Sequence, residues 1–128
     1  MKSLVLTVAP DHTLEEGAAA MIERKVGSAV VLSGASLVGI VTERDVMRAV
    51  ARGMVPWNTR IEDVMTADPV SVPPDMATRD AIALMLKGGF RHLPVVKEGQ
   101  VVGVVSIRDL LSPAEPTPKP PTEGSETP

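Results

Sequence analysis

Two seven-residue segments carry the residue types best suited to hold a small polar ligand: Gly39-Ile-Val-Thr-Glu-Arg-Asp45 and Gly103-Val-Val-Ser-Ile-Arg-Asp109. Each places a hydroxyl, Thr42 or Ser106, where a β-branched run gives way to a helical pattern, and sets an acid, Asp45 or Asp109, in the first turn beyond it. The unpaired N–H groups and positive dipole of a helix start attract an anion, and the hydroxyl adds a donor. A first-turn carboxylate repels phosphate but accepts hydrogen bonds from paired ribose hydroxyls. Hydroxyl and acid together therefore suit a nucleoside phosphate better than free phosphate. The same spacing also makes an ordinary helix cap, favourable by itself. A folding requirement would be duplicated as readily as a binding one, so the spacing leaves both readings open.

The basic residues near these segments are unevenly shared. Arg44 and Arg108 each stand between hydroxyl and acid, where they meet either phosphate or water. Arg91 and His92 have Gly27 and Ser28 as their counterparts in the other segment, and Glu43 stands where the second copy has Ile107. Only one copy thus supplies cationic groups at that position, and two sites built this way are not equivalent. His92 beside Leu93-Pro94 fits a half-buried histidine as well as a ligand contact, and His12 in the Pro10 turn reads as a turn residue.

Composition removes other chemistries. The 128 residues include no Cys and two His, which leaves thiol chemistry, disulfides and zinc sites without ligands. Trp57 and Phe90 are the whole aromatic complement, and the net charge is -3, so neither base stacking nor phosphate-backbone binding is expected. No nucleophile–base–orienter set is visible, and phosphate hydrolysis by His92 with an aspartate is a remote reading. The opening residues are too short an apolar run for a signal peptide, and no stretch reaches the length of a membrane span. A cytoplasmic protein that is not an enzyme is the expectation.

The elements that must position these segments occur twice. An offset of 64 positions aligns Thr7–Asp45 with Ser71–Asp109 without a gap, pairing Pro10-Asp11 with Pro74-Asp75, Met21 with Met85, and Arg44-Asp45 with Arg108-Asp109. In each copy a turn leads to an amphipathic helix, two short β-branched runs and a second helix. Thr13 and Glu16 have capping-box spacing, and Leu14, Ala18, Met21 and Ile22 form one apolar face that Ile82, Met85 and Leu86 repeat. Gly27 and Gly88-Gly89 are the expected helix ends. The strands are expected over 29–32, 37–41, 93–96 and 101–105, with a short strand such as 70–72 before each copy. Trp57 reads as packing for the connector 53–60. Beyond Leu111, six of the twelve prolines lie in a segment without a large aliphatic residue, which reads as a disordered Pro-rich tail.

Both copies resemble cystathionine beta-synthase (CBS) domains, and the pair is similar to a stand-alone Bateman module. The resemblance rests on the two segments ending in Asp45 and Asp109, on Val64-Met-Thr-Ala-Asp-Pro-Val70, and on Phe90-Arg-His-Leu-Pro-Val-Val96. It covers roughly Leu4 to Leu111. It implies an α+β fold of two β-α-β-β-α repeats about a pseudo-twofold axis, with repeat 1 over 1–55, a linker over 56–63, repeat 2 over 64–111 and the tail over 112–128. It also implies two clefts between the repeats that take an adenosine compound such as AMP, ADP or ATP. In those clefts Asp45 and Asp109 would hold ribose, and Thr42 and Ser106 would face phosphate. Thr66 and Val70 would border the adenine in the Asp45 cleft, and Leu6 would do so in the Asp109 cleft. Met1-Lys2-Ser3-Leu4 departs from the usual Met-Thr segment there.

The function expected on this basis is that of a sensor which binds an adenine nucleotide and reports it through conformation or assembly to a protein the sequence does not name. Leftover apolar residues Met47, Val50 and Met54 would fit a homodimer. The alternatives are a constitutive scaffold with empty clefts, or a sensor of S-adenosylmethionine or NAD. No metal ligand set, nucleic acid or membrane enters any of these readings.

Overall fold

The computed structural model describes residues 5–111, so the Pro-rich segment 112–128 and the opening residues 1–4 lie outside the described residues. The first repeat runs β1 (Thr7–Val8), α1 (Leu14–Arg24), β2 (Ser28–Ser33), β3 (Ser36–Thr42) and α2 (Glu43–Ala51). Two short 3-10 turns, Pro56–Asn58 and Ile61–Asp63, lead to β4 (Thr66–Ala67), α3 (Thr78–Gly88), β5 (His92–Lys97), β6 (Gln100–Ser106) and α4 (Ile107–Leu111). The α+β fold expected from the sequence is the one observed.

The duplication extends to hydrogen-bond register. Ser28 lies opposite Thr42 in the β2–β3 hairpin, and His92 lies opposite Ser106 in the β5–β6 hairpin. Val8 pairs with Val31 in parallel and Val72 with Val95, while both hairpins bulge at the same place, after Val31 and after Val95. β1 lies parallel to β2, and β4 closes the first sheet by pairing antiparallel with β3 in the order β1-β2-β3-β4. The second repeat thus supplies a strand to the first repeat's sheet. Gly39 permits this approach, because a Cβ there would strike the Met65 sulfur and stand 3.0 Å from the Thr66 carbonyl oxygen.

Two cores form, one per repeat. Leu14, Val31, Val41 and Ile61 are fully buried in the first, and Met85 and Leu93 anchor the second. Burying such aliphatic side chains stabilises the fold by roughly 1.5–3 kcal/mol each. Ile61 reaches its core from the connector because the backbone straps that segment to the start of α1. The Leu14 N–H donates to the Thr59 carbonyl at 2.7 Å and the Ile61 N–H donates to the His12 carbonyl at 2.8 Å.

Several local expectations change. The strand expected at 70–72 is reduced to a single parallel bridge of Val72 with Val95, the counterpart of Val8 with Val31, and β4, Thr66–Ala67, is an additional strand on the open edge of β3. α1 ends before Gly27: Lys25 takes the left-handed conformation at φ 59° and its N–H meets the Ile22 and Met21 carbonyls. Its repeat mate Gly89 does the same in α3 at φ 76°, without the Cβ penalty. Ile22 and Leu86 belong to the apolar stripe by spacing, yet they are 79% and 69% exposed. Met21 and Met85 take the buried position in the last turns of α1 and α3, and the adjacent residue on each helix points to solvent. Trp57 does not pack the connector but stands 68% exposed, because Ile61 has taken the core position. Met47 and Val50 are exposed as expected, whereas Met54 packs on the first core and leaves that face.

Candidate functional site

The first site is assembled where β3 ends. Thr42 is extended, with φ -125°, and caps α2, so its side chain projects over the free N–H groups of the first turn. The Asp45 N–H donates to Thr42 Oγ1 at 3.3 Å, and the Thr42 N–H donates to Asp45 Oδ2 at 2.8 Å, a reciprocal capping box. Thr42 Oγ1 donates to the same carboxylate oxygen at 3.1 Å, and Arg48 holds Oδ1 at 3.2 Å. Asp45 is only 9% exposed. A buried carboxylate needs such partners, since desolvation without them costs several kcal/mol. Arg48, three residues along the same helix face, was not singled out from the sequence, although the i, i+3 spacing signals it.

The second site repeats the arrangement more loosely. The Asp109 N–H donates to Ser106 Oγ at 3.1 Å and the Ser106 N–H donates to Asp109 Oδ2 at 3.4 Å. Asp109 is exposed, and among the described residues no cation pairs with it. Helix caps are thus formed at both sites, as one of the two sequence readings expects. Carboxylate oxygens retain further lone pairs that can accept from a ligand.

The remaining candidates divide into two groups. Arg44, Arg91 and Arg108 are exposed and, among the described residues, form no salt bridge. Thr66 lies in β4 opposite Ile40, on the strand that ends at Thr42, and its side chain is exposed. Val70 is 45% exposed, whereas its repeat mate Leu6 is 8% exposed and packs in the first core. The pairing of Val70 with Leu6 as equivalent adenine contacts is therefore not matched by equivalent exposure.

His92 brings the two repeats together. The hairpins of the two repeats touch through β3 and β6, and Ser106, where β6 gives way to α4, lies opposite His92, the first residue of β5. Burial pushes the His92 imidazole below its ordinary value of 6.5. Against this, Glu43, Asp109 and Asp45 pull it upward, while Arg91 pushes it down. One histidine thus feels carboxylates from both repeats, a convergence that no local spacing reveals. Among the described residues no three His, Asp or Glu side chains are close enough to hold a metal ion. No described helix is long and apolar enough to cross a membrane.

Comparison with known proteins agrees with this architecture. The family model for the CBS domain matches residues 1–52 and again 61–114. A 17.7 kDa protein of Acidianus ambivalens is 42% identical over 108 residues, covering 83% of this chain, and the chain spans 65% of that relative's length. A protein with CBS domains from Burkholderia ambifaria superposes with a TM-score of 0.81 at 35% identity, over 85% of this chain and 81% of that one. A CBS domain protein from Pyrobaculum aerophilum, solved in complex with AMP, superposes with a TM-score of 0.80 at 29% identity, over 88% and 87% of the two chains. Gapless duplication, shared register and two family matches lead to one assignment: the chain belongs to the CBS-domain family, as a pair of CBS repeats.

Proposed function

We propose that this chain is a regulatory module that binds an adenine nucleotide between its repeats and transmits occupancy through conformation or assembly. CBS pairs are regulatory, and a relative of the same fold holds AMP. The observation that carries the reading to this chain is the duplicated hydroxyl–acid pair at two helix starts, Thr42 with Asp45 and Ser106 with Asp109. Asp45 and Asp109 accept from ribose hydroxyls, and Thr42 and Ser106 with the helix N–H groups face the phosphate. Arg44, Arg91 and Arg108 have no salt-bridge partner among the described residues, which keeps them available to an anion. Thr66 and Val70 border the base in the Asp45 cleft.

The response to ligand requires two states of different affinity. A homodimer supplies one route, through Ile22 with Leu86 and Met47 with Leu111, which are repeat mates and all exposed. The scaffold reading retains one specific support, because both acids are already engaged as caps. Titration of AMP into ligand-stripped protein separates the two. Saturable heat that Asp45→Ala and Asp109→Ala each reduce, in variants that still melt cooperatively, supports nucleotide binding. Absence of heat with AMP, ADP and ATP alike supports the scaffold.

A further inference from the structure

The two helix starts exchange charge at equivalent positions. In the second repeat, Arg91 precedes β5 and its carbonyl accepts from the Ile107 N–H at 2.8 Å. In the first, Gly27 precedes β2 and its carbonyl accepts from the Glu43 N–H at 3.0 Å, so Gly27 with Glu43 stands where Arg91 stands with Ile107. The Glu43 side chain folds over the glycine: Oε2 lies 3.0 Å from where a Cβ on Gly27 would stand. A carboxylate therefore occupies the space from which the equivalent arginine side chain of the other repeat emerges. Its charge also acts on His92, together with those of Asp109, Arg91 and Asp45.

We propose that Glu43 is a specificity-determining residue, and that its carboxylate restricts the inter-repeat site to adenosine compounds carrying little phosphate charge. This rests on the nucleotide-binding reading above. Arg44, Arg91 and Arg108 remain the cations that can meet an anion, and the Glu43 carboxylate sets against them a repulsion of each added phosphate that the second helix start, with Ile107 at that position, does not impose. Asp45 and Asp109 are committed to caps, whereas among the described residues Glu43 has no hydrogen-bond or salt-bridge partner for its carboxylate. Its placement over Gly27 serves no cap and no ion pair. The chain thereby gains discrimination by a repulsive element, which selectivity between ligands of similar shape requires.

The test compares adenosine, AMP and ATP by titration of the full chain at fixed low salt with EDTA, so that no divalent cation masks the phosphates. The wild-type protein is expected to bind ATP more weakly than adenosine. Glu43→Gln, which keeps the shape and removes the charge, is expected to lower the ratio of the ATP to adenosine dissociation constants by about five- to tenfold, the scale of one charge at partly screened range. Ile107→Glu is expected to raise that ratio. Because the ratio is taken within each variant, a general loss of stability cancels. Wild-type protein that binds ATP as tightly as adenosine, or a ratio unchanged by Glu43→Gln, overturns the role of Glu43 and leaves nucleotide binding intact. Failure of all three compounds to bind overturns nucleotide binding itself, and the role of Glu43 with it.

Discussion

The two repeats share a register and differ in how firmly they hold it. In the first, α1 begins with a full capping box from Thr13 and Glu16, β4 closes the sheet, and Asp45 is buried with Thr42 and Arg48 around it. In the second, the Thr13 position is Ala77, α3 has no side-chain cap, and Asp109 is exposed with no arginine partner among the described residues and a weaker bond from the Ser106 N–H, 3.4 Å against 2.8 Å. The charge order runs the other way: the less tightly held repeat carries Arg91 and His92, while the better-held one carries Glu43. Structural investment and positive charge at the Arg91 position are thus separated between two copies of one motif, so a symmetric fold presents two unlike helix starts.

The largest test of that comparison strikes the cores. Leu14→Ala in the first core and Leu93→Ala in the second should each cost about 2–5 kcal/mol, measured by urea denaturation. If the shared strand β4 makes the repeats one cooperative unit, both variants shift a single transition; two separate transitions would break the picture of joined repeats. Gly39→Ala addresses β4 alone. The new methyl meets Met65 and the Thr66 carbonyl, and a loss of about 1–3 kcal/mol is expected, whereas no change would mean that β4 is dispensable.

Smaller effects sharpen the contrast between the caps. Thr42→Ala removes the hydroxyl that serves a buried acid and should cost about 1–2 kcal/mol, while Ser106→Ala at an exposed cap should cost about 0.5 kcal/mol or less. Equal losses would remove the distinction between the sites. The smallest effect is the pH dependence of His92. Burial favours its neutral form in the folded protein, so below the ordinary value of 6.5 the unfolded chain takes up more protons than the folded one. The stability linked to His92 is therefore full above that pH, is lost as the pH falls through it, and levels off below the lowered folded value. In His92→Gln this slope in thermal midpoint between pH 7 and 5 should be shallower; an unaltered slope would assign it to other groups.

Much of this arrangement was legible in the residues themselves. The offset that aligns Arg44-Asp45 with Arg108-Asp109 also predicts that His92 and Ser106 pair as Ser28 and Thr42 do, because register is a property of the repeat. Thr13 with Glu16 and Thr42 with Asp45 are local devices, so spacing suffices to find them. Where partners come from elsewhere in the chain, pattern failed. Spacing placed Ile22 and Leu86 on a buried face but could not tell that one sheet covers only part of the helix. It assigned a cap to Gly27, whereas Lys25 takes the left-handed position and Gly27 makes room for Glu43. The influence of Glu43 on His92 depends on how β3 and β6 meet, which neither repeat encodes alone.

The central claim is that an adenine nucleotide occupies the space between the repeats, and a crystal structure of the full chain grown with saturating AMP tests it most directly. The account predicts ribose hydroxyls within hydrogen-bonding distance of the Asp45 or Asp109 carboxylate, with the phosphate directed to the helix start and the side of Arg91. AMP bound at another surface, or clefts left vacant at a concentration far above cellular levels, would contradict it and leave the two hydroxyl–acid pairs as helix caps.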